Sequence, residues 1–300
     1  MTAPRVVLVA KKSAYARFIE EEQDPRAKDL LRRRDDSVRH WPESHREHLR
    51  TLEKIEATLM QLGAHTVHVD RPHAEFDTTD ASLVVVVGGD GTLLAASHSI
   101  RSAPLLGVNS DPRHSVGFFC AARRENVDSM LEAALNGTLR ATWLTRMQVS
   151  VNGRVRSRRV LNEALFSHSV PAATSRYILN IGHHSEKQHS SGVWVGPAAG
   201  STAAQRSAGG RVLPLRSRKL QVVVREPYLR DGRRYQLLRC EVAEGTSVSI
   251  KSKMQDANLY LDGPYRRVSI SLGEVARFCA SKEPLCVLGL ERRSLKRPVG

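Results

Sequence analysis

Apolar residues along this chain follow two different rhythms, and the rhythm changes near residue 141. Before that point, short apolar runs alternate with stretches of helical period. Val6-Val7-Leu8-Val9 reads as a strand. Leu49, Leu52, Ile55, Leu59 and Leu62 recur at three- and four-residue spacing, which predicts one helical face closed by Gly63 as a C-cap. Leu83 to Val87 is a continuous apolar run rich in β-branched residues, the pattern of a strand buried on both faces of a parallel sheet. Leu105-Leu106-Gly107-Val108 predicts another strand, running into Asn109-Ser110-Asp111-Pro112. Val127, Met130, Leu131, Ala134 and Leu135 predict a helix stopped by Gly137. Residues 20–45 are highly charged and poorly periodic, and read as an insertion or mobile loop. This alternation predicts a doubly wound, mostly parallel α/β domain over residues 1–140, with ligands at the carboxyl ends of its strands.

Beyond residue 141 the period falls to two. Met147-Gln148-Val149-Ser150-Val151 alternates, and Asn152-Gly153 is a hairpin signal before Arg154-Val155. Further strands are predicted at Tyr177–Ile181, Val193–Val195, Leu220–Val224, Leu237–Val242, Ser247–Ile250, Leu259–Leu261 and Val268–Leu272. They make residues 141–272 a β-rich, sandwich-like domain. Residues 273–300 are expected to return to the first domain, as helix plus strand.

With 300 residues there is room for two such cores. No apolar run is long enough to span a membrane, and the start of the chain lacks the apolar core of a secretory signal, so a cytoplasmic protein is expected. Cys120, Cys240, Cys279 and Cys286 have neither C-x-x-C spacing nor histidine partners, so they read as reduced, packed thiols and no metal site is predicted. His183 and His184 are adjacent, so on a strand they would face opposite ways. The formal charge of +15 suits anionic ligands such as nucleotides. Its basic residues fall in small groups (Arg32–Arg34, Arg154–Arg159, Arg216–Lys219, Arg230–Arg234, Arg292–Arg297) with few aromatics between them, which speaks for a solvated surface over nucleic-acid binding.

Three motifs carry chemistry. The strand Leu83–Val87 stops in Gly88-Gly89-Asp90-Gly91-Thr92, and a helical pattern starts at once. A carboxylate is thereby held at the end of a central strand, beside a helix N-terminus and among accessible backbone N–H groups, as phosphate chemistry requires. A tight turn capped by Asp90 is the plain alternative, although an acid among three glycines is more than a cap needs. Asp90 is able either to accept a proton from an attacking hydroxyl or to hold Mg²⁺ against a polyphosphate. The second motif runs from Gly192-Val193-Trp194-Val195-Gly196 through Gly200-Ser201-Thr202-Ala203-Ala204 to Ser207-Ala208-Gly209-Gly210. Its small residues permit either close approach to a polar ligand or close packing of helix on sheet. The third, Asn162-Glu163, offers an amide and a carboxylate to a base or ribose, or forms an ordinary turn.

In this order the three motifs resemble the NAD kinase family over most of the chain. Asn109 with Gly117-Phe118, and Asp262-Gly263, are similar to further family elements. Leu106–Pro112, Ala198–Ala204 and Val223–Pro227 look closer to the plant NADH-preferring branch. The resemblance implies transfer of a phosphoryl group from ATP, with Mg²⁺, to the 2′-hydroxyl of the adenosine ribose of NAD(H). It implies an α/β domain, a sandwich-like domain, and a homodimer or homotetramer. Carried over by residue, Asp90 is the general base, and Gly88, Gly89, Gly91 and Thr92 are cofactor-binding positions of its loop, with Gly91 next to the dinucleotide. Asn162 and Glu163 bind the dinucleotide, and Thr202, Ala203 and Ser207 line the adenine and ribose pocket. Asn109, Phe118 and Asp262 are further contacts. Two positions depart from the pattern: Ala204 stands where most bacterial members have Tyr, and Ser191 where many have an acid. The rival readings are a lipid kinase sharing the glycine loop and a non-catalytic NAD(H)-binding sensor.

Overall fold

The computed structural model describes residues 3–229 and 235–290; the basic groups Arg230–Arg234 and Arg292–Arg297 lie outside them. The chain forms two compact units, one comprising the residues up to Thr142 and those from Cys286 on, the other Trp143–Leu285.

The first unit is α/β. Its strands are β1 (Arg5–Ala10), β2 (His65–Val69), β3 (Leu83–Gly88), β4 (Leu105–Asn109), the short β5 (Ala122–Arg123) and β6 (Ala141–Leu144). Its helices are α1 (Pro25–Arg32), α2 (Trp41–Gln61), α3 (Asp90–Ser97) and α4 (Val127–Leu135). β1 pairs in parallel with β2 and β3, and β3 with β4. Every residue of β3 is buried, which is why its sequence reads as an unbroken apolar run. Ile55 and Leu59 of α2 and Val127 and Leu131 of α4 pack on one face of the sheet, against Val6, Leu8, Val85 and Leu106.

Residues 20–45 are not a loop. They hold the end of a π-helical turn (Ala16–Glu21), then α1, then the first turn of α2. The Asp24 side chain accepts from the Arg26 and Ala27 N–H groups, and Asp29 pairs with Arg32 and Arg33. Caps and local ion pairs hold this stretch, and only Ala27 of α1 is buried. The apolar stripe predicted for α2 also changes character. Leu49 is exposed, and toward the helix N-terminus the buried positions are His45, His48 and Thr51.

The second unit is a β-sandwich. Its strands are β7 (Met147–Val151), β8 (Arg154–Val160), β9 (Ala164–His168), β10 (Ser175–Ile181), β11 (His184–Ser190) and β12 (Gly192–Pro197). After a 3-10 turn (Ala198–Thr202) and the short α5 (Ala204–Ser207) come β13 (Leu220–Arg225), β14 (Arg239–Val242), β15 (Val248–Ser252), β16 (Ala257–Leu261), β17 (Arg266–Ile270) and β18 (Val275–Ala280). They form two six-stranded sheets, ordered β11-β10-β15-β18-β7-β8 and β14-β13-β12-β9-β16-β17. Inward residues of both sheets share one core, with Phe166 and Tyr177 meeting edge to face at 5.5 Å. Asn152 and Gly153 take positive φ in the β7–β8 hairpin, as its two-residue turn demands. Gly182 and His183 form the β10–β11 turn, so His183 is not on a strand.

The expected helix after residue 273 is instead β18, which pairs with β15 and β7 inside the sandwich. Of the described residues beyond 273, only β19 (Leu285–Leu288) joins the first sheet, where the order is β2-β1-β3-β4-β19-β6.

Candidate active site

In the first unit the chemistry gathers where β3 ends. Gly89 takes the N-cap position of α3, and Asp90 is its first residue. A Cβ on Gly88 would lie 2.5 Å from the Thr92 hydroxyl oxygen, so glycine lets the helix fold back tightly on the strand. Thr92 is buried by that packing, whereas Gly91 is exposed with open space above its Cα. Asp90 is locked in place: its two carboxylate oxygens accept the Phe118 and Phe119 backbone N–H groups, each at 2.9 Å. Phe118 therefore meets Asp90 through its main chain, a contact its side chain gives no hint of in sequence. The Asn109 amide is spent within its own loop, accepting from Asp111 N at 3.1 Å and donating to the Ser115 carbonyl at 3.0 Å. It shapes the segment that delivers Phe118 and Phe119.

The polar end of α2 ties down the neighbouring strand ends. His45 Nδ1 meets Ser13 Oγ, after β1, and His48 Nδ1 meets Ser110 Oγ, after β4, both at 2.8 Å. Burial, reinforced by the charge of Lys11, pushes the His48 imidazole down to about 4. His48 is thus neutral, and its Nε2 is buried without a hydrogen bond. Neither histidine stands out in the sequence: His45 falls in the charged stretch read as an insertion or loop, and His48 just ahead of the predicted apolar face.

In the second unit, Asn162 and Glu163 lead into β9 and are both buried. Behind them lies the Gly-Ser-Thr-Ala turn. The Gln205 amide donates to the Asn162 carbonyl at 3.3 Å, and a Cβ on Gly200 would collide with that same oxygen. Asn162, Glu163, Thr202, Ala203 and Ser207 are thereby brought into one region, with Thr202 and Ala203 half-buried and Ser207 exposed. Two acceptor atoms here, Asn162 Oδ1 and Glu163 Oε2, are buried and unpaired. Buried polar atoms ordinarily have partners, so these two oxygens are candidate ligand contacts. Burial, and secondarily the charge of Asp262, raises the Glu163 carboxyl to about 8, so it is mostly protonated at neutral pH.

Asp262 itself makes no such opening. Its carboxylate accepts the backbone N–H groups of Leu161, Asn162 and Glu163 at 2.8, 2.7 and 3.1 Å. Glu163 also lines a pocket of about 380 Å³ with Ser167, Ser191, Trp194, Arg225 and Tyr260, where the Arg225 guanidinium lies 5.7 Å from the Trp194 ring centre. Trp194 and Tyr260 were legible only as strand residues; their shared pocket depends on the pairing of β12 and β16 with β9.

The ATP-NAD kinase N-terminal domain family model matches residues 2–139. Over 274 residues, 84% of each chain, the sequence is 34% identical to a probable NADH kinase of Oryza sativa subsp. japonica. It is 36% identical over 227 residues to an NADH kinase of Arabidopsis thaliana, covering 65% of this chain and 68% of the relative. The fold superposes on the crystal structure of an NAD kinase from Archaeoglobus fulgidus in complex with ATP, with a TM-score of 0.69 at 20% identity, covering 94% of this chain and 92% of the other.

Proposed function

The chain belongs to the NAD kinase family, and on that premise we propose that it moves a phosphoryl group from ATP to the 2′-hydroxyl of the adenosine ribose of NAD(H), giving NADP(H). The observation that carries this reading is the carboxylate of Asp90, fixed by two backbone N–H groups at the head of α3 beside the open Gly91.

A ribose hydroxyl is a weak nucleophile, but phosphoryl transfer passes through a loose transition state that needs alignment and charge neutralisation more than a strong base. Asp90 is suited to that task. Its orientation is set before substrate arrives, and each oxygen keeps a lone pair with which to align the hydroxyl and take its proton late. Mg²⁺ enters as part of the donor, MgATP, and the N–H groups of the glycine loop share the remaining phosphate charge. Lys11, exposed directly after β1 and bonded through its N–H to the Val87 carbonyl, adds a cation at the same sheet edge.

For the acceptor, Asn162 Oδ1 suits a hydroxyl or amine donor of an adenosine, and the Glu163 carboxyl, holding its proton, can both donate and accept. Thr202, Ala203 and Ser207 border the same region. Ala204 offers no aromatic side chain, and Trp194 and Tyr260, which line the Glu163 pocket, offer aromatic surfaces to a bound ring. Assembly as a homodimer or homotetramer is part of the same proposal. The exposed Val170, Tyr265 and Leu272 of the second unit are side chains such an interface would cover. A cytoplasmic location is supported by the four cysteines, all free thiols. No helix among the described residues is long and apolar enough to cross a membrane.

The test crosses NAD and NADH with ATP and inorganic polyphosphate in the presence of Mg²⁺, reading NADP(H) by enzymatic cycling. NADP(H) formed with ATP is the expected result. Dinucleotide binding with no product in any combination would overturn the assignment and leave a sensor.

A further inference from the structure

Asp262 was expected to touch the dinucleotide. We infer instead that Asp262 is a positioning residue, whose carboxylate holds the Leu161–Glu163 backbone so that the Asn162 and Glu163 side chains are presented before the dinucleotide arrives. The inference rests on the reading of those two residues as dinucleotide contacts.

Three features of the geometry support it. First, the carboxylate is engaged by three successive backbone N–H groups, and charge-assisted bonds of this kind are about twice as strong as neutral ones. Second, the bonding is reciprocal. The Asp262 N–H donates to the Glu163 carbonyl at 3.0 Å, one step beyond the Leu261–Ala164 pair that closes the β9–β16 ladder. Asp262 takes a left-handed φ of 50° there, which turns the chain into the β16–β17 hairpin. Asp tolerates that conformation better than most residues. Third, the far side of the segment is equally confined, by Gly200 and the Gln205 amide against the Asn162 carbonyl. Clamped from both sides, the segment has little freedom, and its unpaired side-chain oxygens are fixed in place. A buried cation stands behind the clamp. Arg146 is fully buried, donates to the Glu283 and Pro284 carbonyls at 2.6 and 3.3 Å, and feels the charge of Asp262.

Asp262 also acts on Glu163 through its charge, raising the carboxyl further than burial alone does. The other titratable or charged groups on the Glu163 pocket are His168, Arg225, Glu226 and Tyr260. The variant Asp262→Asn keeps the shape but turns one acceptor oxygen into an amide donor and removes the charge.

The experiment measures dinucleotide affinity by calorimetry, from pH 6 to 9, for the wild type, Asp262→Asn, Glu163→Gln and the double variant. The expected result for Asp262→Asn is a loss of about tenfold or more in dinucleotide affinity, on the scale of one or two lost hydrogen bonds to a charged group. KM for the dinucleotide rises while kcat changes less, and the pH dependence assigned to Glu163 moves down. In the Glu163→Gln background the same change costs clearly less, because part of what Asp262 does is done through Glu163. Equal losses in both backgrounds with no pH displacement would mean that Asp262 contacts ligand directly, and would overturn the inference. So would an unchanged affinity. If Glu163→Gln and Asn162→Ala both bind dinucleotide normally, it is the acceptor-site reading that fails. Should Asp262→Asn not fold, hydrogen exchange on the ligand-free wild type decides. The amides of Leu161, Asn162 and Glu163 are expected to be protected already; protection gained only on adding NAD would refute a preset segment.

Discussion

Replacing Glu163 by Gln tests how much stability the protein gives up to bury this carboxyl. Glu163 is only 9% exposed, its Oε2 has no hydrogen bond, and its carboxyl sits at about 8 against an ordinary 4.5. In the unfolded chain the group ionises near 4.5; in the fold it keeps its proton until about 8. Between those values the folded state binds more protons, so stability falls as pH rises and levels off above the folded value. A displacement from 4.5 to about 8, at about 1.4 kcal/mol per pH unit, amounts to roughly 5 kcal/mol above pH 8 and about 3 kcal/mol at pH 7. That is a large part of the 5–15 kcal/mol typical of a folded domain. Gln has nearly the same shape and no charge to bury. Urea unfolding of the wild type and Glu163→Gln from pH 5 to 9 should therefore show a gap between the two that widens with pH in favour of the variant, by several kcal/mol. Dinucleotide affinity of the variant should fall at the same time. A gap that stays constant across this range would refute the buried, proton-holding carboxyl.

Asp90→Asn should still fold, although its amide gives up one of the two backbone N–H bonds, while turnover drops by about 10²–10⁴, the usual scale for a general base; near-normal kcat would remove Asp90 from the chemistry. Gly91→Ala has open space for its methyl and sits in the first turn of α3, so unfolding experiments should show equal or slightly higher stability, by up to about 1 kcal/mol. Its KM for ATP should nevertheless rise, because the methyl stands over the N–H groups that meet phosphate; an unchanged KM would place the phosphates elsewhere. His48 is held neutral, so its share of stability is complete above 6.5 and is lost as pH falls toward 4, by about 3 kcal/mol in all. Acid titrations of the wild type and His48→Gln should converge over that window, and parallel curves would contradict the assignment.

The elements with a strong apolar period were legible from sequence: β1, β3, β4, α4 and the alternating strands of the sandwich. The elements that sequence does not reveal lack that signal. In β11, His184–Ser190, the buried positions are Gln188 and Ser190, and the strand exists because β10 pairs with it along its whole length. α1 is a charged segment held by its cap, and Asp24-Pro25 was a readable start signal that its lack of period obscured. The motifs pointed to Asp90, Asn162 and Glu163 because glycine spacing and residue chemistry are local. The groups that hold them are not. Phe118 and Phe119 reach Asp90 across 28 and 29 positions, and Asp262 reaches Leu161 across 101. Main-chain donors leave no mark on residue identity, so the contacts of Phe118 with Asp90 and of Asp262 with Leu161–Glu163 are not visible in the sequence.

The place of β19 between β4 and β6 has a consequence for biosynthesis. Translation runs from one end, so the ribosome delivers the whole sandwich before it delivers the strand that fills this interior slot. Until then the nascent sheet carries a partly open rim on β4, where β5 pairs only with Val108 and Asn109 and the Leu105 end waits for its partner, in a form open to mispairing with other chains. The sandwich can condense as an autonomous unit while that gap waits. The unit that carries Asp90 is therefore the last to be completed, and its completion is the step at which a chaperone would matter most.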